Sequence, residues 1–262
     1  MTGLAALEGM FAAAREQKRA AFLPYYPIGY PDYASSIEAI VAMAELGVDG
    51  FEIGMSFSDP LADGPVVQAA TQVALKNGIG VKECIRAVGE LRSRGVTQPM
   101  LLMGYVNPIL TYGVERFIRD AQSAGAAGTI IPDLPPDEAD ESIRVCQETS
   151  MAHVFLLAPT SNAARIELVS GKASGFIYMV SLTGITGVRS ELSAEIPEFV
   201  ARVRARTSTP LVLGFGISRP AHARMMNGLV DGFIVGSALV KTGAQGVEAV
   251  RELAGSLRAA LD

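Results

Sequence analysis

The sequence predicts an α/β protein folded as a single (β/α)₈ TIM barrel, and three observations favour this fold class. The chain has 262 residues, an ordinary length for one barrel. Short apolar segments alternate with longer amphipathic ones along the whole chain, as in successive βα units. No Gly/Ser-rich linker interrupts them, so we expect one domain over residues 1–262. An open doubly wound sheet is disfavoured because no G-x-G-x-x-G follows the first strand.

Eight segments have the nearly continuous apolar character of parallel strands buried on both faces. They cover residues 22–28, 50–53, 100–104, 128–131, 153–157, 175–180, 210–214 and 232–235. The first twenty residues predict an extra N-terminal helix, and a short helix is predicted to begin at Ser237. Ser35 and Glu38 have the spacing of a capping box at a helix start.

Composition limits the classes of partner. Hydrophobic residues make up 49% of the chain and charged residues 19%, enough for a full core. The net charge is −5 and there is no Lys/Arg block, which argues against nucleic acids and acidic membrane surfaces.

Cys84 and Cys146 are isolated, as expected of buried thiols in a reducing compartment. With no signal-peptide pattern and no apolar run of membrane-spanning length, we expect a cytoplasmic protein.

An acidic cluster begins in the second predicted strand. Glu52 stands between Phe51 and Ile53, and burial of its charge there costs several kcal/mol unless the group is paired, protonated or functional. A structural glutamate bonded to a neighbouring strand is the alternative, but carboxylates at barrel strand ends are usually catalytic. Asp59 and Asp63 follow in a loop. One of them is expected to be a turn or capping residue, and composition does not say which.

Glycines follow the last three predicted strands. Gly214, Gly216 and Gly236 lie after the seventh and eighth, and residues 183–187 after the sixth contribute two more. Glycines let a phosphate approach backbone N–H groups, and many barrels bind phosphate between the loops after strands 7 and 8. We therefore expect an anion site there.

Several chemistries are disfavoured. The five lysines all lie outside the predicted strands, which argues against a Schiff-base aldolase and against a pyridoxal-phosphate enzyme. His153 and His222 are isolated and expected to be structural or exposed, so neither a metal site nor a Ser–His–Asp triad is predicted. The candidate mechanism that remains is acid–base catalysis by carboxylates, without a cofactor in this chain.

The segment 52–68, E-x-G-x-x-F-S-D-P-L-A-D-G-P-x-x-Q, closely resembles the signature of the tryptophan synthase alpha subunit family. Further matches are F-L-P-Y at 22–25, L-L-M-G-Y-V-N-P at 101–108, P-D-L-P at 132–135, Tyr178 with S-L-T-G-I-T-G at 181–187, G-F-G-I at 214–217 and G-S at 236–237. The resemblance spans nearly the whole chain. It implies retro-aldol cleavage of indole-3-glycerol phosphate to indole and glyceraldehyde 3-phosphate.

The resemblance also implies a role for each matching residue. Glu52 matches the acid–base residue, Asp63 the carboxylate that binds the indole N–H, and Tyr178 a tyrosine beside the glutamate. Residues of the indole pocket and lid are matched by Tyr25, Met103, Tyr105, Leu156, Thr186, Phe215 and Ile234, with residues 183–194 as the mobile lid. For Leu156 and Ile234, ordinary barrel packing is an equal alternative. The phosphate would be bound by Gly187, Gly216, Gly236 and Ser237.

Two positions depart from the family pattern. Ser56 stands where the motif usually has proline, which implies a less rigid loop and an altered partner surface. Leu182 stands where some members have arginine, so a lid contact is absent.

The resemblance implies a complex with a beta subunit that carries pyridoxal phosphate, an α₂β₂ heterotetramer in which indole is passed on directly. A stand-alone indole-releasing lyase and a non-catalytic regulatory subunit are alternatives, although the presence of both Glu52 and Asp63 argues against the second. A different phosphate-binding barrel enzyme, such as an isomerase of an aminated sugar phosphate, is a further alternative.

Overall fold

The computed structural model describes residues 3–180, 195–214 and 216–262. Its eight parallel strands form a closed barrel in sequence order, which confirms the predicted fold class. The strands are β1 (Ala21–Pro27), β2 (Phe51–Gly54), β3 (Met100–Met103), β4 (Gly128–Ile130), β5 (Ala152–Leu157), β6 (Ile177–Val180), β7 (Leu211–Gly214) and β8 (Gly232–Val235). All eight predicted segments contain a strand, because buried parallel strands must be apolar on both faces.

Helices surround the barrel and close one end of it. Within the described residues they are α1 (Leu4–Glu16), α2 (Tyr33–Glu45), α3 (Pro65–Lys76), α4 (Val81–Ser93), α5 (Val106–Tyr112), α6 (Val114–Ala124), α7 (Asp140–Glu148), α8 (Ala163–Lys172), α9 (Glu195–Arg204), α10 (Pro220–Met226), α11 (Ser237–Gly243) and α12 (Val247–Ala259), with a 3₁₀ turn at Pro136–Glu138. The predicted N-terminal helix and the short helix that begins at Ser237 are both present.

Two apolar clusters stabilise the barrel. The larger lies between the strands and the surrounding helices, and the smaller fills the barrel interior. Leu7, Met10 and Phe11 of α1 belong to the interior cluster. The helix approaches so closely that a Cβ on Gly50, just before β2, would lie 2.9 Å from Met10 Sδ. Helix α1 therefore closes the N-terminal end, and the opposite rim is left for a ligand.

The start of α2 differs from the prediction. Asp32, not Ser35, precedes the helix, and its carboxylate accepts a hydrogen bond from the Ser35 backbone N–H at 2.8 Å. The Ser35 hydroxyl donates to the same carboxylate at 2.6 Å. The predicted capping box at Ser35 and Glu38 is therefore wrong, because an aspartate three residues earlier already satisfies the N-terminal amide.

Other predictions about single residues are confirmed. Cys84 and Cys146 are free and buried. His153 is buried, and its Nε2 lies 2.8 Å from the Ser142 hydroxyl oxygen. That hydroxyl donates to the Ala139 carbonyl at 2.9 Å, so the histidine ring serves packing and hydrogen bonding within the fold. None of the described helices combines the length and the apolar character that crossing a bilayer requires.

Candidate active site

Several of the predicted site residues lie on barrel strands, where the strand register pairs them with one another. Tyr25 of β1 is in register with Glu52 of β2, and on the other side of the barrel Leu156 of β5 is in register with Tyr178 of β6. A cavity opens at the C-terminal rim of the barrel. Its described lining residues are Tyr25, Glu52, Asp63, Gly64, Val67, Met103, Tyr178, Gly216, Ile217, Ser218, Ile234, Gly236, Ser237 and Ala238.

Glu52 is the most unusual residue of the cavity. Its side chain is 1% exposed, and its Oε2 has no hydrogen-bond partner among the described residues. Removal from water, followed by repulsion from Asp63, raises the pKa of the Glu52 carboxyl to about 8. A buried acid of this kind is protonated at neutral pH and can donate a proton into the cavity.

Asp63 lies in the loop that joins β2 to α3. Its backbone N–H donates to the Pro60 carbonyl at 3.0 Å, and its carbonyl accepts from the Gln68 side-chain amide at 2.9 Å. Burial raises the pKa of its carboxyl to about 6, against the opposing effect of a hydrogen bond from Tyr105. Asp63 is therefore mostly ionised at pH 7, while Glu52 keeps its proton.

The structure separates the two aspartates of this loop. Asp59 is exposed, and its carboxylate accepts a hydrogen bond from the Ser58 hydroxyl at 2.5 Å. Asp63 lines the cavity together with Glu52. Geometry thus brings Asp63, and not Asp59, to the buried glutamate.

Two buried tyrosines flank the acid pair. Burial raises the pKa of Tyr25 and of Tyr178 well above the usual range, and the charges of Glu52 and Asp63 raise both further. Both phenols therefore remain neutral donors. Each hydroxyl lies where a β-carbon would stand on a neighbouring strand, Tyr25 over Gly54 and Tyr178 over Gly214. The two glycines leave the space that these rings occupy.

A second wall of the cavity contains two glycines, Gly216 and Gly236. Gly216 has φ +83°, a conformation that favours glycine. Gly236 immediately precedes α11, which begins at Ser237. Among the described lining residues there is no lysine or arginine. An anion bound at this wall would therefore be held by N–H groups and the Ser237 hydroxyl.

Nine of the fourteen predicted site residues line the cavity: Glu52, Asp63, Tyr178, Tyr25, Met103, Ile234, Gly216, Gly236 and Ser237. Tyr105 is buried, and its hydroxyl oxygen accepts a hydrogen bond from the backbone N–H of Ala62, the residue before Asp63. Leu156 is half-buried in β5 and packs against the interior cluster without lining the cavity. Thr186, Gly187 and Phe215, together with Leu182 and the rest of the predicted lid, lie outside the described residues.

Five lining residues were not predicted: Gly64, Val67, Ile217, Ser218 and Ala238. Gly64, Ile217 and Ala238 directly follow a predicted site residue, Ser218 is two positions after Gly216, and Val67 is four positions after Asp63. Helix α3 begins at Pro65, so Val67 lies in its first turn, where it is buried and packs in the interior cluster. The start of this helix could have identified Val67 as a lining residue.

Ser56, the departure from the family motif, is buried. Its hydroxyl oxygen has no partner among the described residues.

Among the described side chains, no group of three or more His, Cys, Asp and Glu residues is arranged to hold a metal ion. The cavity instead combines one protonated and one ionised carboxyl with a glycine-containing wall that can bind an anion. This combination suits proton transfer to and from a phosphorylated substrate.

Comparison with known proteins gives a consistent result. The family model for "Tryptophan synthase alpha chain" matches residues 11–260. A tryptophan synthase alpha chain from Roseiflexus sp. (strain RS-1) is 50% identical over 230 residues, 88% of each chain. One from Nocardia farcinica is 41% identical over 251 residues, 96% of this chain and 94% of the relative. A solved tryptophan synthase structure from Mycobacterium tuberculosis superposes with a TM-score of 0.92 at 39% identity, covering 97% of each chain.

Proposed function

This chain belongs to the tryptophan synthase alpha chain family, and we propose that Glu52 and Asp63 carry out its reaction. The chain is a carbon–carbon lyase of tryptophan biosynthesis that cleaves indole-3-glycerol phosphate to indole and glyceraldehyde 3-phosphate. One observation carries the assignment of residues. A buried glutamate oxygen without a partner shares one cavity with a second, ionised carboxylate.

In the first step, Glu52 donates its proton to the ring carbon that bears the glycerol side chain. Its pKa of about 8 keeps the acid protonated at neutral pH. The ring becomes a cation as this carbon is protonated. The Asp63 carboxylate accepts a hydrogen bond from the indole N–H and stabilises the developing positive charge.

In the second step, the Glu52 carboxylate removes the proton from the hydroxyl on the adjacent side-chain carbon. That oxygen forms the aldehyde carbonyl, the carbon–carbon bond breaks, and its electron pair returns to the ring. Indole and glyceraldehyde 3-phosphate result. Glu52 regains the proton that it gave, so no oxidant, reductant or cofactor enters the balance.

The remaining site residues orient the two ends of the substrate. We propose that Tyr25, Met103 and Ile234 hold the indole ring, with Leu156 and Phe215 nearby, and that Tyr178 orients Glu52. Gly187, Gly216, Gly236 and Ser237 would bind the phosphate, while Thr186 in the lid would reach Asp63 on closure. The apolar and backbone character of the described lining supports this division.

A substitution at Gly236 tests the phosphate site. Gly216 is a poor probe because any side chain would be strained at its φ of +83°. A Cβ on Gly236 would meet only ordinary contacts with Tyr25, the nearest at 3.4 Å. We expect Gly236→Ala to raise the KM for indole-3-glycerol phosphate by about tenfold or more while kcat falls much less. An unchanged KM in steady-state assays would show that the phosphate binds elsewhere.

The two carboxyls predict a bell-shaped dependence of kcat/KM on pH. Asp63 must be ionised, and its pKa is about 6; activity is therefore lost as pH falls below that value. Glu52 must be protonated, and its pKa is about 8; activity is therefore lost as pH rises above that value. We expect a maximum near the midpoint and roughly tenfold loss per pH unit beyond each limb. A flat profile between pH 5 and 9.5 would contradict the assignment.

We further propose that a pyridoxal-phosphate-containing beta subunit binds this chain in an α₂β₂ complex in the cytoplasm. Pyridoxal phosphate would belong to that partner, since no lysine occurs in the described strands. Leu61 in the loop after β2 is 90% exposed and Leu110 on α5 is 58% exposed. The loop after β2 and helix α5 also contribute Phe57, Asn107 and Pro108 to the lining of one groove. Exposed apolar residues of this kind support a protein interface at that face.

The test of the proposed function is direct. Purified chain is incubated with indole-3-glycerol phosphate, with and without a beta subunit, and both indole and glyceraldehyde 3-phosphate are assayed. We expect equimolar products, with faster turnover when the partner is present. Equal turnover without the partner would indicate a stand-alone lyase. Binding of a beta subunit without cleavage would indicate a regulatory subunit, and absence of both would overturn the proposal.

A further inference from the structure

A second cavity, of about 310 Å³, lies at the N-terminal end of the barrel. Its described lining comes from α1 and the turn that follows it, from the end of α9 and from the residues that precede β8. None of these residues lines the cavity that contains Glu52 and Asp63. Four of the nine are cationic and one is acidic, in a chain whose net charge is −5. The lining residues are Phe11, Arg15, Lys18, Arg19, Arg204, Gly228, Leu229, Val230 and Asp231.

The acid of this lining, Asp231, is already hydrogen bonded. Its carboxylate accepts from the Arg204 guanidinium and from the Leu211 backbone N–H, the latter at 2.8 Å. The Arg15 guanidinium stays 3.6 Å from the other carboxylate oxygen, which is longer than a hydrogen bond. Arg15 therefore has five N–H donors without a hydrogen-bond acceptor in the described part of the chain.

Arg19 is a buried cation in the wall of this cavity. Its side chain is 5% exposed, and two of its nitrogens donate to the Asp49 carboxylate at 2.7 and 2.8 Å. Its Nε donates to the Gln17 side-chain oxygen at 2.8 Å, and its Nη1 also donates to the Ala20 carbonyl at 3.3 Å. A guanidinium has five N–H groups, so one on Nη2 has no acceptor among the residues that the structure describes. Four hydrogen bonds thus fix a cation that still has one donor free.

Lys18 contributes a further cation. It follows the C-terminal end of α1 with φ +56°, and its backbone N–H donates to the Arg15 carbonyl at 2.9 Å. A left-handed residue at a helix end is usually glycine. Within the described ranges, the Lys18 ammonium group makes no hydrogen bond or ion pair. The end of α1 therefore brings an unpaired charge to this cavity.

Asp262 is another acid near Arg19, but it is paired elsewhere. A hydrogen bond from Arg258, and to a smaller extent the charge of Arg19, lower the pKa of its carboxyl. The Arg258 guanidinium donates to Asp262 Oδ1 at 2.8 Å. Neither this acid nor the one in the lining is therefore left to neutralise Lys18.

We propose that this cavity binds the doubly charged phosphate group of a small molecule, either inorganic phosphate or a phosphate monoester. A dianion would balance the charges of Arg15 and Lys18, which no hydrogen-bonded carboxylate offsets in the described structure. The planar fork of Arg15 can donate two parallel bonds to phosphate oxygens, and Lys18 and the free Nη2 donor of Arg19 can add others. Phe11 and Leu229 provide apolar surface for the remainder of a monoester. The inference does not rest on the proposed function, because the two cavities share no lining residue.

Residue-resolved NMR can follow this site separately from the catalytic one. ¹H–¹⁵N spectra of the full chain are recorded during titration with inorganic phosphate and, separately, with glycerol 3-phosphate, at constant ionic strength. The backbone amides of Lys18, Gly228 and Asp231 report on the proposed site, and those of Gly236 and Ser237 on the catalytic cavity. We expect saturable shifts in the first group. Tighter binding of glycerol 3-phosphate would identify a monoester as the ligand, tighter binding of inorganic phosphate the free ion, and equal binding the phosphate group alone.

Two variants and one control assign the shifts to this cavity. Arg15→Gln and Lys18→Gly each remove one of its cations, and we expect each to weaken phosphate binding there about fivefold or more. The affinity read at Gly236 and Ser237 should stay within about twofold of wild type. Glycine suits the φ of +56°, so Lys18→Gly should fold as stably as wild type. Lys76→Ala removes an exposed cation of α3 that is not in the lining, and it should bind phosphate as wild type does.

Other results would overturn the inference. Shifts that grow linearly with phosphate, or that chloride reproduces at the same ionic strength, would indicate an adventitious ion only. Equal weakening in Lys76→Ala would mean that the overall charge of the protein, and not this cavity, attracts the anion. Unchanged affinity in both Arg15→Gln and Lys18→Gly would place the bound phosphate elsewhere.

Discussion

Glu52→Gln is expected to lower kcat by roughly a thousandfold or more. Glutamine has nearly the same shape as glutamate, so the barrel interior stays filled, but it can neither give a proton to the ring nor take one from the side-chain hydroxyl. Both steps of the reaction lose their proton carrier at once. Steady-state assays with indole-3-glycerol phosphate measure the effect, and activity within tenfold of wild type would refute the role.

Two controls separate chemistry from folding in the Glu52→Gln experiment. The thermal unfolding midpoint should not fall, because the substitution removes a buried group whose charged form is destabilised by burial. Glyceraldehyde 3-phosphate should bind as it does to wild type, because Gly236 and Ser237, and not Glu52, are proposed to bind the phosphate. Glu52→Asp, which keeps the carboxyl but shortens its reach, should retain part of the activity.

Asp63→Asn is expected to lower kcat by about a hundredfold to a thousandfold, the usual loss when a group that stabilises transition-state charge is removed. The amide still offers an oxygen to the indole N–H, but it carries no negative charge to stabilise the cationic ring. Affinity for glyceraldehyde 3-phosphate should change little. Equal losses in turnover and in product affinity would show that Asp63 supports the binding site generally.

Asp59→Asn provides the matched control for Asp63→Asn. It changes the same chemical group in the same loop, four residues earlier, but its carboxylate is exposed and bonded to Ser58. We expect wild-type kcat and KM for this variant. A comparable loss at both positions would mean that the negative charge of the loop as a whole matters, and not the carboxylate in the cavity.

The strands could be predicted because burial on both faces leaves a continuous apolar signal. Glu52 could be identified in the same way, because a carboxylate buried in an apolar strand is unfavourable unless it is paired, protonated or functional. The start of α2 was misjudged because Ser35 and Asp32 are both good capping residues. Three residues separate them, and only backbone geometry decides which side chain reaches the free amide.

Asp63 could not be distinguished from Asp59 by composition, because both stand in a loop of turn-forming residues. The choice needed either the family resemblance or the direction in which the loop turns. Ser218 went unrecognised as a lining residue because a lone serine in a loop carries no distinctive signal. The hydrogen bond from the Ala62 backbone N–H to the Tyr105 hydroxyl joins residues that are about forty positions apart in sequence, and no local pattern specifies it.

Hydrogen exchange isolates the step in which Glu52 delivers a proton to the indole ring carbon. Indole is incubated in D₂O with the protein and glycerol 3-phosphate, which occupies the phosphate end, and the C3 hydrogen is followed by proton NMR. By microscopic reversibility, wild type should exchange this hydrogen for deuterium, and Glu52→Gln should exchange it no faster than buffer. Exchange at the wild-type rate by Glu52→Gln would contradict the account.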